Sequence, residues 1–134
     1  MAKSEKEKGK KRAVKEAAYE RKGRNMDIKH EYAPQTLVAK ISGEIDHHTA
    51  NALKEDLDRE IALRNIKNLI LDFDKVSFMD SSGIGVVVGR HKKISALGGR
   101  LLIIRTSPQI DKIFELSGLK KILNYGEERS DTND

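Results

Sequence analysis

The chain has no cysteine, no tryptophan and only two prolines among its 134 residues. Without cysteine there is neither a disulfide framework nor a thiolate metal site, which fits a reducing compartment. No apolar run approaches the roughly 18–20 residues that cross a bilayer. The amino terminus is charged and lacks the apolar segment of a secretory signal. These absences point to a cytoplasmic protein that does not enter a membrane, with chain enough for one domain and one modest core.

Charge is present but unevenly spread. The formal net charge is +5. Residues 1–25 carry ten Lys/Arg against four Asp/Glu, and the remainder carries 16 against 17. The basicity therefore belongs to the first 25 residues. Such an arm suits nucleic acid or an anionic surface. With Tyr19 as its one aromatic and no amphipathic stripe of large apolar residues, it reads as a disordered, solvated extension, and no direct nucleic-acid partner is expected. Lys22-Gly23-Arg24-Asn25 also stands just before Met26, and its codons can read as a purine-rich run like a bacterial ribosome-binding site. A second expectation makes residues 1–25 translated leader ahead of a start at Met26. The expected organisation is thus 1–25 extension, 26–125 domain and 126–134 polar tail.

Periodicity divides residues 26–125 into alternating elements. Residues 26–32 and 36–42 read as strands around the turn Ala33-Pro34-Gln35. Residues 43–46 read as a loop whose Asp46 caps a helix running to about Leu63. That helix has Ala50, Leu53, Leu57 and Ile61 on one face. Residues 68–73 form a buried strand, and a second helix runs from about Ser82 to Leu97. Its inward stripe is expected at Ile84, Val87, Val88, His91 and Ile94, and Gly98-Gly99 stops it. Residues 100–105 enclose another buried strand. Ser107 caps a third helix with Pro108 at its first position, and Gly118 ends it. Residues 119–125 add a short strand or turn. The order β-β-α-β-α-β-α implies a small mixed α/β sheet with parallel neighbours and helices mainly on one side.

The stretch Val76-Ser-Phe-Met-Asp-Ser-Ser-Gly-Ile-Gly-Val-Val-Val-Gly-Arg90 is the most informative in the chain. It puts two adjacent hydroxyls, Ser81 and Ser82, where a strand gives way to a helix. Asp80-Ser81-Ser82 could merely cap that helix, since all three residue types are good caps. Gly85 and Gly89 argue for more, because each costs a helix about 1 kcal/mol relative to alanine. With Ser82 and Lys93 they form one smooth outer stripe that another molecule's backbone can approach.

Gly43-Glu-Ile-Asp-His-His-Thr-Ala50 and Phe78-Met-Asp-Ser-Ser-Gly-Ile-Gly-Val-Val-Val-Gly-Arg-His-Lys-Lys-Ile94 together resemble the STAS-domain anti-sigma factor antagonists, most closely the sporulation type. Ser107-Pro108 and Ser117-Gly118-Leu119 extend the likeness, which covers about residues 26–123. Residues 1–25 have no counterpart in the family, and its final helical stretch is expected to be missing. The resemblance implies a STAS fold and a non-enzymatic role in partner switching. In that family the unphosphorylated antagonist binds an anti-sigma factor that is also a serine kinase, releasing a sigma factor. The kinase, which binds the ATP, phosphorylates the first serine of Asp-Ser-Ser-Gly, here Ser81, and a serine phosphatase reverses it. The antagonist itself needs no cofactor or metal. The implied partner-binding residues are Asp46 and His47 in the loop, and Asp80 and Ser82 flanking the acceptor. Gly85, Gly89 and Lys93 join them from the outer stripe.

Rival readings are weaker. The closest keeps the fold and changes the circuit, to a general-stress antagonist or another partner-switching module. A small hydrolase using Ser81 and His91 lacks the Gly-x-Ser-x-Gly elbow and has ten residues of helix between the two groups. His47-His48 lacks a third ligand, and adjacent side chains are expected to diverge. Ser82-Gly83-Ile84-Gly85 lacks the Gly-Lys-Ser/Thr ending of a phosphate-binding loop.

Overall fold

The computed structural model describes residues 25–125. Asn25 apart, the expectations for the basic extension and the polar tail lie outside the described residues. Strand β1 (Met26–Ala33) turns into β2 (Thr36–Ile45) through a two-residue corner, with Ala33 paired to Thr36. Proline presets the corner at Pro34, and Gln35 closes it at a φ of 54°. The Gln35 carbonyl then accepts the amides of Lys67 and Asn68 at 2.9 and 3.0 Å, pinning the corner to the entrance of β3 (Asn68–Met79). Helix α1 (Ala50–Leu63) makes the crossover from β2 to β3. Helix α2 (Ser81–Ala96) leads to β4 (Leu101–Ile104), and α3 (Pro108–Ser117) with a 3-10 turn (Leu119–Lys121) leads to β5 (Asn124–Tyr125). The sheet order is β1-β2-β3-β4-β5, antiparallel at β1/β2 and parallel elsewhere. The expected order of elements holds, and the segment left open between strand and turn contains both, a 3-10 turn and a two-residue fifth strand.

Alternation sets the core. Ile28, Leu37, Ala39, Ile41, Leu69, Leu71, Phe73, Leu101 and Ile103 are all buried on the face toward the helices. Phe114 of α3 meets Phe73 with ring centroids 5.9 Å apart. Helix α1 buries its expected stripe, Ala50, Leu53, Leu57 and Ile61, but also Asp56 and Glu60. Their partners lie on β1. His30, fully buried, meets Asp56 at 2.7 Å, and the Tyr32 hydroxyl donates to Glu60. Buried charge requires such pairing. The edge strand is therefore tied to α1 by polar contacts as well as by packing.

Two expected boundaries are corrected. Residues 43–45 are strand, not loop, and β3 runs to Met79 rather than stopping at Phe73. The reason is a pair of irregularities between β2 and β3, at Lys40/Ser42 and at Gly43/Glu44, each adding one residue on the β3 side. Every added residue resets the alternation. Inward positions consequently run Phe73, Val76, Met79, and the exposed Asp74-Lys75 pair imitates the end of a strand. Gly43 sits at φ 98°, where a side chain would be strained, and a Cβ there would meet the Asn25 carbonyl.

On the opposite face, Asp72 accepts two hydrogen bonds from the guanidinium of Arg105, at 2.6 and 3.2 Å, and one from the Asp74 amide at 3.0 Å. Burial pushes this carboxyl up, but the Arg105 and Asp74 donors more than offset it and hold it below the usual carboxylate range. A folded carboxyl that titrates below its unfolded value of about 3.9 stabilises fully above that value and loses the contribution as pH falls through the folded pKa. Asp72→Asn is expected to cost about 1–2 kcal/mol at pH 7, with the gap to the native chain narrowing at pH 3. Urea unfolding at both pH values measures it, and an equal gap at both would rule out the ion pair as the source.

Candidate functional site

Strands β2 and β3 end level. Ile45 pairs with Met79, and the Asp80 amide donates to the Ile45 carbonyl at 3.2 Å. The residues that follow, Asp46 and Asp80, thus leave the same end of the sheet side by side, and the two motif blocks of the sequence converge there. Each aspartate organises its own turn. Asp80 accepts the Ser82 amide at 2.8 Å and is the N-cap of α2. Asp46 accepts the amides of His48 and Thr49 at 2.8 and 3.1 Å. The His48 amide, reinforced by that of Thr49 against a smaller opposing effect of burial, lowers the Asp46 carboxyl from its ordinary value.

Asp46 is not the cap of α1, as the sequence suggested. That position belongs to Thr49, which is buried, and Asp46 closes the turn before it. The Thr49 hydroxyl donates to the Glu44 carbonyl at 2.8 Å and accepts the Asp46 amide at 2.9 Å, folding the loop back on the strand. His47 and His48 are exposed on the outside of this turn. Their rings lie 3.9 Å apart at 40° instead of diverging. Among the described residues, no group of three or more His, Asp or Glu is placed to hold a metal ion.

Ser81 is the first residue of α2, one residue earlier than expected, and it is exposed; Ser82 is half-buried. The helix is seated by Gly83. A Cβ on that residue would lie 2.7 Å from Met79 Sδ and 3.0 Å from Ile45 Cγ2, the side chains of the last strand pair. Sequence reasoning did not single out Gly83. Three glycines stand within seven residues there, and only the phase of the helix separates the one facing in from the two facing out.

That phase differs slightly from the expected one. Val87 and Ile94 are buried as anticipated, while Ile84, Val88 and His91 are only partly so. The buried set is Gly83, Val86, Val87, Arg90 and Ile94. The helix is rolled by about one residue because Gly83 must face the strands and Arg90 reaches α1. Arg90 Nε lies 3.0 Å from Asp58 Oδ1. Neither atom has a well-directed hydrogen bond, so the contact is Coulombic rather than hydrogen-bonded. Lys93 Nζ also meets Asp58 Oδ1, at 3.3 Å, so this stripe residue points partly toward α1. Gly85 is exposed and Gly89 half-exposed, and a Cβ on either would meet nothing within 4 Å.

The arrangement offers a presented hydroxyl and a smooth helical face. It does not bring Ser81 and His91 together, since both lie on one helix, about 15 Å apart along its axis. Among the described residues, no helix is long and apolar enough to cross a membrane.

Residues 27–131 match the STAS domain family. The chain is 35% identical over 99 residues to an anti-sigma F factor antagonist of Paenibacillus polymyxa, covering 74% of this chain and 85% of the relative. The chain belongs to the STAS-domain anti-sigma factor antagonists. An anti-sigma-B factor antagonist of Staphylococcus aureus is 29% identical over 103 residues, covering 77% and 94% of the two chains. Among solved structures, SpoIIAA, an anti-sigma factor antagonist, in its unphosphorylated form aligns with a TM-score of 0.66 at 32% identity, over 75% of this chain and 89% of that one. The phosphorylated form of SpoIIAA, described as a Bacillus cell fate determinant, aligns with 0.60 at the same identity, over 75% and 92%.

The three glycines of α2 make opposite demands in this STAS domain. Gly85→Ala and Gly89→Ala should each stabilise the fold by about 0.5–1 kcal/mol, because the added methyl meets open space and helix propensity improves. Gly83→Ala should cost about 1–3 kcal/mol through overpacking against Met79 and Ile45. Urea denaturation of the three variants checks the signs. A gain at Gly83, or losses at both outer positions, would mean that the helix is seated differently.

Proposed function

We propose that this chain is an anti-anti-sigma factor switched by phosphorylation of Ser81. Unphosphorylated, it binds a cytoplasmic anti-sigma factor that is also a serine kinase and thereby frees a sigma factor. Phosphorylated by that kinase, which holds the ATP, it lets go, and a serine phosphatase restores it. The observation that carries this reading is the position of Ser81: exposed, first in its helix, beside the Asp46 turn and at the head of the open glycine face. Asp46, His47, Asp80, Ser82, Gly85, Gly89 and Lys93 form the proposed docking surface around it. The higher identity to anti-sigma F antagonists than to anti-sigma-B antagonists favours a sporulation circuit over a stress circuit.

The energetics favour a switch acting between proteins. A phosphate on Ser81 would meet the positive end of the α2 dipole, so the domain need not refold to accept it. The two forms of SpoIIAA, both similar in fold to this chain, support that view. At an interface the same dianion must shed water against whatever faces it. Disrupting a buried charge arrangement costs on the order of 3–5 kcal/mol, or roughly two to three and a half decades of affinity at about 1.4 kcal/mol per tenfold.

Incubation with the same organism's anti-sigma serine kinase and ATP, followed by peptide mass spectrometry, should place one phosphoryl group on Ser81 and none on Ser81→Ala. In binding assays Ser81→Ala should stay tight, while Ser81→Asp and phosphorylated protein should weaken by about 100-fold or more. Equal affinity of all three forms would defeat the switch. No phosphorylation by a kinase that is active on a known antagonist would reduce the reading to its fold.

A further inference from the structure

Helices α1 and α2 follow neighbouring parallel strands, so they run side by side from the same end of the sheet. Eight residues into α1 stands Asp58, and nine residues beyond Ser81 stands Arg90. Around Asp58 the structure gathers three cations: Arg90 at 3.0 Å, Lys93 at 3.3 Å and Lys54 at 3.7 Å. One carboxylate serves all three, leaving the cluster with an excess of two positive charges. It is also incompletely satisfied. Arg90 is 5% exposed, and its Nε and Nη1 have no hydrogen-bond acceptor; Asp58 Oδ1 likewise has no donor aligned with it. Buried guanidinium N–H groups without acceptors are costly and uncommon. The lysines remain within reach of solvent, Lys54 with 51% and Lys93 with 43% of the side chain exposed.

We infer that this cluster is the far anchor of the docking surface and receives an acidic side chain, Asp or Glu, from the anti-sigma factor. The inference rests on the proposed function and adds the chemistry of the partner. Gly85 and Gly89 lie between Ser81 and Lys93 with open space above them, so a partner segment laid along α2 can come close to the backbone. Such a segment reaches the cluster about 16 Å from Ser82, the rise of eleven helical residues. A carboxylate arriving there pairs with Lys54 and Lys93. It relieves the excess positive charge and leaves Asp58 to Arg90 alone. The partner is thus read at two points: hydroxyl or phosphate at Ser81, and charge complementarity at the far end.

The test uses the full chain and the same organism's anti-sigma serine kinase. Lys54→Glu/Lys93→Glu should weaken binding by about tenfold or more and flatten its salt dependence, with Lys54→Gln/Lys93→Gln intermediate. Both variants keep Arg90 and Asp58, and a thermal melt within a few degrees of the native chain confirms their fold. An acidic residue of the kinase changed to lysine should restore affinity to the Glu variant and not to the native chain. If native protein binds and is phosphorylated on Ser81 while both variants bind equally well, the inference is overturned and the switch stands. If native protein neither binds nor is phosphorylated, the proposed function falls and takes the inference with it.

Discussion

The geometry of this domain depends on one close approach, the seating of α2 on the last residue pair of two parallel strands. Ile45 and Met79 end β2 and β3 in register, and Gly83 fits against their side chains only because it carries none of its own. That contact fixes three things together. It holds the Asp46 and Asp80 turns at one end of the sheet, it makes Asp80 the cap that starts the helix, and it leaves Ser81 exposed as the first helical residue. It also sets the helix phase, so that Gly85 and Gly89 face outward while Arg90 is carried in toward α1. A side chain at residue 83 would have to lift or roll the helix, and every one of these positions would shift.

The parts of the fold visible in the sequence are those governed by a single period. The α1 stripe, the strands at 69–71 and 101–104, the Ser107-Pro108 start of α3 and the Pro34 turn all follow from local rules, and the structure has each of them. Ile70, Leu102 and Ile104, however, are only half-buried where an unbroken apolar run suggested cover on both faces. The exposed serine at the head of α2 was legible too, because a hydroxyl pair between an apolar strand and a glycine-spaced helix is unusual. What stayed hidden required knowledge of pairing across the chain. The bulges of β3 are invisible in one strand, since an extra residue exists only relative to a partner. The exposed Asp74-Lys75 pair therefore passed for a terminus. Arg90 was invisible for a similar reason: on a helix an arginine reads as solvated until an acidic neighbour on another element is known.

The same limit explains His30. Its place in the alternation Met26, Ile28, His30 marks it as inward, but nothing local says that Asp56 and Glu60, twenty-six and thirty residues on, share its layer. Once α1 is laid over the hairpin, the histidine, the tyrosine two residues later and the two acids form one polar seam at the edge of the sheet. A seam of this kind contributes little net stability compared with an apolar one of equal volume. What it supplies is register, because β1 cannot slip along β2 without stranding a buried charge. The mixed sheet thus has a polar lock at its antiparallel edge and a packing lock at the parallel centre, where Gly83 sits.

A phosphate on Ser81 would enter an end of the sheet that is already acidic and already capped. The α2 dipole favours it, yet Asp80 has taken the Ser82 amide, and the depressed carboxyl of Asp46 keeps its turn negative through the physiological range. Attraction and repulsion within the domain therefore oppose each other, and the balance gives little reason for the backbone to move. A partner docking across the same end of the sheet would have no such balance. It would desolvate two aspartates in any case, and the added dianion would need further donors there. In the proposed switch, selectivity would then reside in the partner's donors. The domain would contribute an end of the sheet where two aspartate turns are fixed side by side and a third charge is optional.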